Sequence, residues 1–127
     1  MKKVYLAGPW ACKTAMKAIA DVLRSNQIVL TSRWHDSDYD SAVYEGSPHT
    51  METECQKDWN DINEADTLVY MNLVKSEGKA TELGIALAKG LPIYVVGGKQ
   101  NNVFLHLPWI NHRDSLTDVV QEITSGS

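Results

Sequence analysis

The sequence is short of several things. Its two cysteines, Cys12 and Cys55, fall at no metal-binding spacing and are too few for a disulfide framework, so buried or inert free thiols are expected. No apolar run approaches the length that spans a bilayer. The opening, Met1-Lys2-Lys3-Val4-Tyr5-Leu6-Ala7-Gly8-Pro9, has too short an apolar stretch for a secretory leader, which points to the cytoplasm. Positive charge is scarce: a net charge of -4 and a pI near 5.5 argue against a protein that coats a nucleic acid polymer, while a local anion pocket stays open. Internal repeats and low-complexity tracts are absent. So are the glycine-rich fingerprints, because Gly8-Pro9 is followed neither by the further glycines of a dinucleotide loop nor by the Gly-Lys-Ser/Thr of a Walker loop.

What is present suits one α/β domain spanning residues 1–127, long enough to bury its own core at 43% apolar content. Lys3 to Ala7 reads as a strand running into the turn Gly8-Pro9. Ala15, Met16, Ile19, Ala20, Val22 and Leu23 then recur at helical spacing as far as Ser25-Asn26. That turn sets Trp10 at a strand's carboxyl end, where it could stack on a base or sugar or pack under the helix. Ile28 to Thr31 is a short second strand. From Arg33 to about Thr50 follows a polar segment carrying Trp34, Tyr39 and Tyr44, which suits a lid or a base-recognition loop. Its alternating Asp36, Asp38 and Asp40 lack the glycine and closing glutamate of a calcium loop.

Between Thr50, a candidate N-cap, and Ala65 a helix is predicted, with Met51, Cys55, Trp59 and Ile62 as its apolar face. Asp58 and Asp61 flank that face, one directed toward the ligand end and the other plain helix surface. Thr67 to Met71 and Leu91 to Val96 read as buried strands. Asn102 to Ile110 is too apolar for a loop and is expected to form a short fifth strand or a helical turn, ahead of a last helix from Ser115 to Ile123. Strands alternating with helices imply a three-layer, flavodoxin/Rossmann-like parallel sheet of about five strands.

The centre of the pattern is Asn72 to Ile85, NLVKSEGKATELGI, a loop opening a helix that ends at Lys89-Gly90. Glu82 falls in its first turns, where the helix dipole favours an ionised carboxylate. Ser76 and Gly78 sit at the helix start. They form either a seat for an anion such as phosphate or an ordinary connection with a capping serine. His35, His49 and His112 read as surface residues, and no set of side chains is spaced for a metal.

VYLAGPW, DWNDINEADTLVYMN and SEGKATELGIALAKGLPIYVV together resemble the nucleoside 2-deoxyribosyltransferase superfamily, which includes the 2'-deoxynucleoside 5'-phosphate N-hydrolases and related monophosphate glycosidases. The match runs through most of the chain, leaving Arg33 to Thr50 unaligned. The resemblance implies Glu82 as nucleophile and Asp58, with Asp61 as fallback, as the assisting acid. Tyr5, Gly8, Pro9, Trp10, Ser76, Gly78 and His106 become substrate-binding positions. Six residues before the nucleophile the transferases carry aspartate and the monophosphate hydrolases a phosphate-holding serine; this chain has Ser76. His106 replaces a serine that the hydrolases borrow from a neighbouring subunit, and Ala7-Gly8-Pro9-Trp10 replaces their arginine- and glycine-rich first turn. The implied reaction is a retaining displacement at a nucleotide's anomeric carbon, without metal or redox cofactor, in a homodimer whose sites lie near its interface. A nucleotide-binding module without catalysis, or an interaction protein that kept only the fold, would share this architecture. Retention of both carboxylates disfavours the former.

Overall fold

The computed structural model describes residues 2–37, 48–98 and 102–125, apart from the side chains of 48–50. Five strands, β1 (Lys3–Ala7), β2 (Val29–Leu30), β3 (Thr67–Asn72), β4 (Ile93–Gly97) and β5 (Asn111–Arg113), pair in parallel in the order β2-β1-β3-β4-β5. Four helices accompany them: α1 (Lys13–Ser25), α2 (Pro48–Glu64), α3 (Glu77–Lys89) and α4 (Leu116–Ser125). The result is the expected three-layer, Rossmann-like α/β fold. The step from β1 to β2 runs one way along the sheet, and the steps to β3 and β4 run the other. Right-handed crossovers therefore place α1 on one face and α2 and α3 together on the opposite face. This reversal opens a crevice beyond the carboxyl ends of β1 and β3.

Burial follows from that layering. Val4 to Ala7 and Thr67 to Asn72 are buried without a break, because strands covered on both faces have no solvent side. α1 sends Met16, Ala20 and Leu23 inward and leaves Ala15 and Val22 outside. A Cβ at Gly8 would come 2.3 Å from Met16 Cε, so the missing side chain lets α1 close over the end of β1.

Three segments differ from expectation. β2 is only two residues long. Beyond it Ser32 Oγ accepts from Leu6 N at 3.1 Å and Trp34 Nε1 donates to Leu6 O at 2.8 Å, so side chains take over the ladder's work. His35 is fully buried there, its Nε2 3.0 Å from Ser32 Oγ, which corrects the surface reading. In α2 only Ile62 of the expected apolar face is buried: Met51 and Trp59 are 42% and 56% exposed and Cys55 is exposed as well, while Glu54 and Asp61 are buried in their place. Both stripes recur at helical spacing, so periodicity alone does not say which one meets the sheet. The helix also starts at Pro48, so Thr50 lies in its first turn and is not the cap. Finally, the apolar stretch after Asn102 takes the helical of its two expected forms, as the 3-10 turn Val103–His106, and the departure is that a fifth strand also forms, later, at Asn111. Tyr39, Tyr44, Asp38 and Asp40 lie outside the described residues. No helix among the described residues is long and apolar enough to cross a membrane.

Gly90 caps α3 at φ 72°, and Gly97 ends β4 at φ 112° with a would-be Cβ only 2.9 Å from the Asn72 carbonyl oxygen. Gly90→Ala should cost about 1 kcal/mol in urea unfolding. Gly97→Ala should cost more, on the order of 2 kcal/mol or above, because backbone cannot yield as a flexible side chain does.

Candidate active site

The chain leaves β3 at Asn72, turns, and enters α3 under a cap in which Ser76 Oγ accepts from Lys79 N at 3.2 Å. Glu82 is the sixth residue of that helix and points back over the sheet to β1. There the fully buried Tyr5 donates its hydroxyl to Glu82 Oε2. The local environment reverses the charge argument made from the helix start. The dipole acts within the first turn, and Glu82 lies beyond it. Burial, the larger effect, and the charge of Asp58 push the Glu82 carboxyl up to about 8 against the opposing pull of the Tyr5 hydrogen bond. Burial and Glu82 raise the Tyr5 phenol in turn, so it stays a donor.

Asp58 faces Glu82 across a cavity of about 300 Å³ between α2 and α3, with Gly78 and Trp59 at its rim. Burial, then Glu54 and Asp61, push the Asp58 carboxyl up to about 7, with Lys57 and Arg33 pulling the other way. One Asp58 oxygen, Oδ1, is buried with no hydrogen-bond partner. Asp61 is neither helix surface nor a second candidate in the cavity. It is buried, and the Arg33 guanidinium grips it, with Nε 3.0 and 3.1 Å from its two oxygens and Nη2 2.8 Å from Oδ1.

Ser76 borders a second cleft of about 240 Å³, together with Tyr70, Lys75, Lys79 and Asn102. Lys79 is a feature that the spacing argument overlooked. It is buried, donates from Nζ to Asn72 Oδ1 at 2.8 Å and to Val74 O at 2.7 Å, and lies 4.9 Å from the Tyr70 ring centroid. Asn72 is itself anchored by donating to Gly98 O. A clamped ammonium thus holds the loop that presents Ser76, and burial lowers its pKa without leaving it unpaired. Two lysines flanking SEG were the available signal, but sequence does not tell a buried lysine from a solvated one.

The remaining positions divide. Gly8 and Pro9 are buried at the end of β1, and Trp10 is half-buried, 6.2 Å from the Trp34 ring with Lys13 over its own ring at 5.5 Å, which favours packing over an open stacking face. His106 is exposed at the end of its 3-10 turn and lines neither the Glu82 cavity nor the Ser76 cleft. Tyr5, Asp58, Gly78 and Glu82 therefore come together, Ser76 caps the same helix nearly two turns before Glu82, and His106 stands apart.

Residues 4–119 match the model of the nucleoside 2-deoxyribosyltransferase family. The chain belongs to this family. Three solved structures are similar across nearly their whole length, at identities that speak to fold alone. They are a conserved protein from Enterococcus faecalis (18% identity, 100% of this chain and 99% of that one, TM-score 0.69), the 2-deoxyribosyltransferase of Bacillus psychrosaccharolyticus (22%, 93% and 90%, 0.69) and the CMP N-glycosidase BcmB of Clostridium botulinum (20%, 98% and 99%, 0.59). No sequence among the curated proteins matches the chain. Membership fits a site for chemistry at a nucleoside's glycosidic bond.

The raised carboxyls of this family member carry a stability consequence. Folded, Glu82 keeps its proton up to about pH 8, whereas unfolded it loses it near 4.5. The folded state binds more protons across that interval, so stability falls as pH rises through it. Glu82→Gln should raise Tm by several degrees above pH 8 and change it little near pH 4.5, as read by calorimetry.

Proposed function

We propose that this protein hydrolyses the N-glycosidic bond of a nucleoside or 2'-deoxynucleoside 5'-monophosphate, releasing free base and sugar phosphate. The observation that carries the reading is the facing pair: Glu82, tethered by the Tyr5 hydroxyl, across one cavity from Asp58. Glu82 attacks the anomeric carbon, the C–N bond breaks, and its electron pair leaves with the base, which takes a proton from Asp58. Water then adds to the glycosyl ester, returning a proton to Asp58 and freeing Glu82. The reactive form holds one proton on the pair, on Asp58, with the charge on Glu82. Since Glu82 is pushed up to about 8 and Asp58 to about 7, this is the minor of the two singly protonated forms, and the Tyr5 hydrogen bond supports it. Ser76 supports the monophosphate. Its hydroxyl hydrogen has no acceptor among the described residues, backbone N–H groups at the head of α3 surround it, and an aspartate at that place would repel a phosphate. Base exchange between nucleosides is the second reading, favoured by the family description and separated from hydrolysis only by what resolves the ester.

The borrowed residue requires a partner. Val103, Phe104 and Trp109 are exposed, and Phe104 walls an apolar groove of about 560 Å³ against Leu83 and Leu87 of α3. With the outward Met51–Trp59 stripe of α2, this surface suits a two-fold homodimer in which His106 of each chain serves the other's phosphate seat. A fully active protein that sediments as a monomer would exclude that arrangement. Phe104→Glu should weaken the dimer and raise KM for the monophosphate.

Chromatography of base release from nucleosides and 5'-monophosphates, in ribose and deoxyribose forms, tests the main reading. Release should require the monophosphate and drop by about 10³-fold or more in Glu82→Ala. Ser76→Asp should raise KM for monophosphates by about tenfold or more with little change in kcat. The pH profile of kcat/KM should be bell-shaped with its summit between about 7 and about 8. Release only on adding an acceptor base would move the protein to base exchange.

A further inference from the structure

Glu54 lies one helical turn before Asp58 on the face of α2 that meets the sheet, and it is only 2% exposed. Its Oε2 is buried with no hydrogen-bond partner, as is Asp58 Oδ1. Side chains four apart on a helix are neighbours, so two acceptor oxygens without donors share one buried place. Two carboxylates cannot satisfy each other, but a proton on one of them supplies the missing donor.

The charges around the pair decide which oxygen keeps it. On α2, Lys57 Nζ lies 3.5 Å from Glu54 Oε1, giving Glu54 a cation, and Asp61 is already neutralised by Arg33. From β1 the Tyr5 hydroxyl is committed to Glu82, and from α3 Glu82 itself faces Asp58 with the same sign of charge. Among the described residues Asp58 forms no ion pair of its own, Lys57 and Arg33 being paired with Glu54 and Asp61. We infer that Glu54 is a positioning residue: its charge, one turn away, holds a proton on Asp58, which donates it to Glu54 Oε2 at rest and to the leaving base in turnover. The second half of that statement rests on the glycosidase reading; the first does not.

Carbon-13 NMR titration of the side-chain carboxyls in the whole protein tests the two parts separately. In the wild type, Asp58 should stay protonated well above the ordinary aspartate range, with the Glu54 carboxyl carbon responding in the same step. In Glu54→Gln the Asp58 midpoint should fall by about one pH unit or more, and Glu54→Asp should restore part of it. An ordinary Asp58 midpoint in the wild type, or one unmoved in a folded Glu54→Gln protein, overturns the inference, and the wild-type titration decides even where the variant fails to fold. Base release is then followed against pH. The lower break of the profile, set by Asp58, should move down with Glu54→Gln by the same interval as the NMR midpoint while the upper break stays in place; a lower break that stays fixed while the midpoint moves overturns the role in turnover. Absence of any base release, with the titration as expected, rejects the glycosidase reading and leaves the proton pair standing.

Discussion

The hydrogen bond from Tyr5 to Glu82 is the contact on which the site depends. It joins β1, an interior strand of the sheet, to the second turn of α3, so the carboxylate's position is set from two elements of the core. Tyr5 has nowhere else to send its hydroxyl, since the ring is fully enclosed, and Glu82 has no cation beside it. The phenol is therefore the neutral donor that makes a buried carboxylate tolerable, and its own raised pKa keeps it in that role. Glu82 pays for its placement in stability, as groups held ready for chemistry commonly do.

Around that contact the chain concentrates acid. Glu54, Asp58 and Asp61 line the sheet-facing stripe of α2, each in a different electrostatic state: near a lysine, without an ion pair among the described residues, and gripped by an arginine. On the other flank, Lys79 and Asn72 hold the loop that carries Ser76, so Ser76 and the carboxyl cavity are placed by the same helix.

Much of this was legible before any coordinates. The alternation of strands and helices, the loop into α3 and the singling out of Glu82, Asp58, Tyr5 and Gly78 all agree with where the residues lie. Other features were not. Met51, Cys55 and Trp59 repeat as regularly as Glu54, Asp58 and Asp61, and the usual assumption that the apolar stripe faces the core selected the wrong one. Glu54 was thereby missed. The direction of the Glu82 shift was missed because desolvation is a property of everything packed around a group, whereas a helix start can be seen in a few letters.

The sequence by itself determined the order of the elements and the family of the chain, because both reside in local periodicity and in short motifs such as ELGIALAKGLP. Tertiary structure alone decided which face of α2 meets the sheet, that Arg33 neutralises Asp61 while Asp58 forms no ion pair among the described residues, and that Lys79 and His35 are buried. Those outcomes depend on which side chains arrive from distant parts of the chain, and the strength of each charge interaction is set by the water that packing excludes.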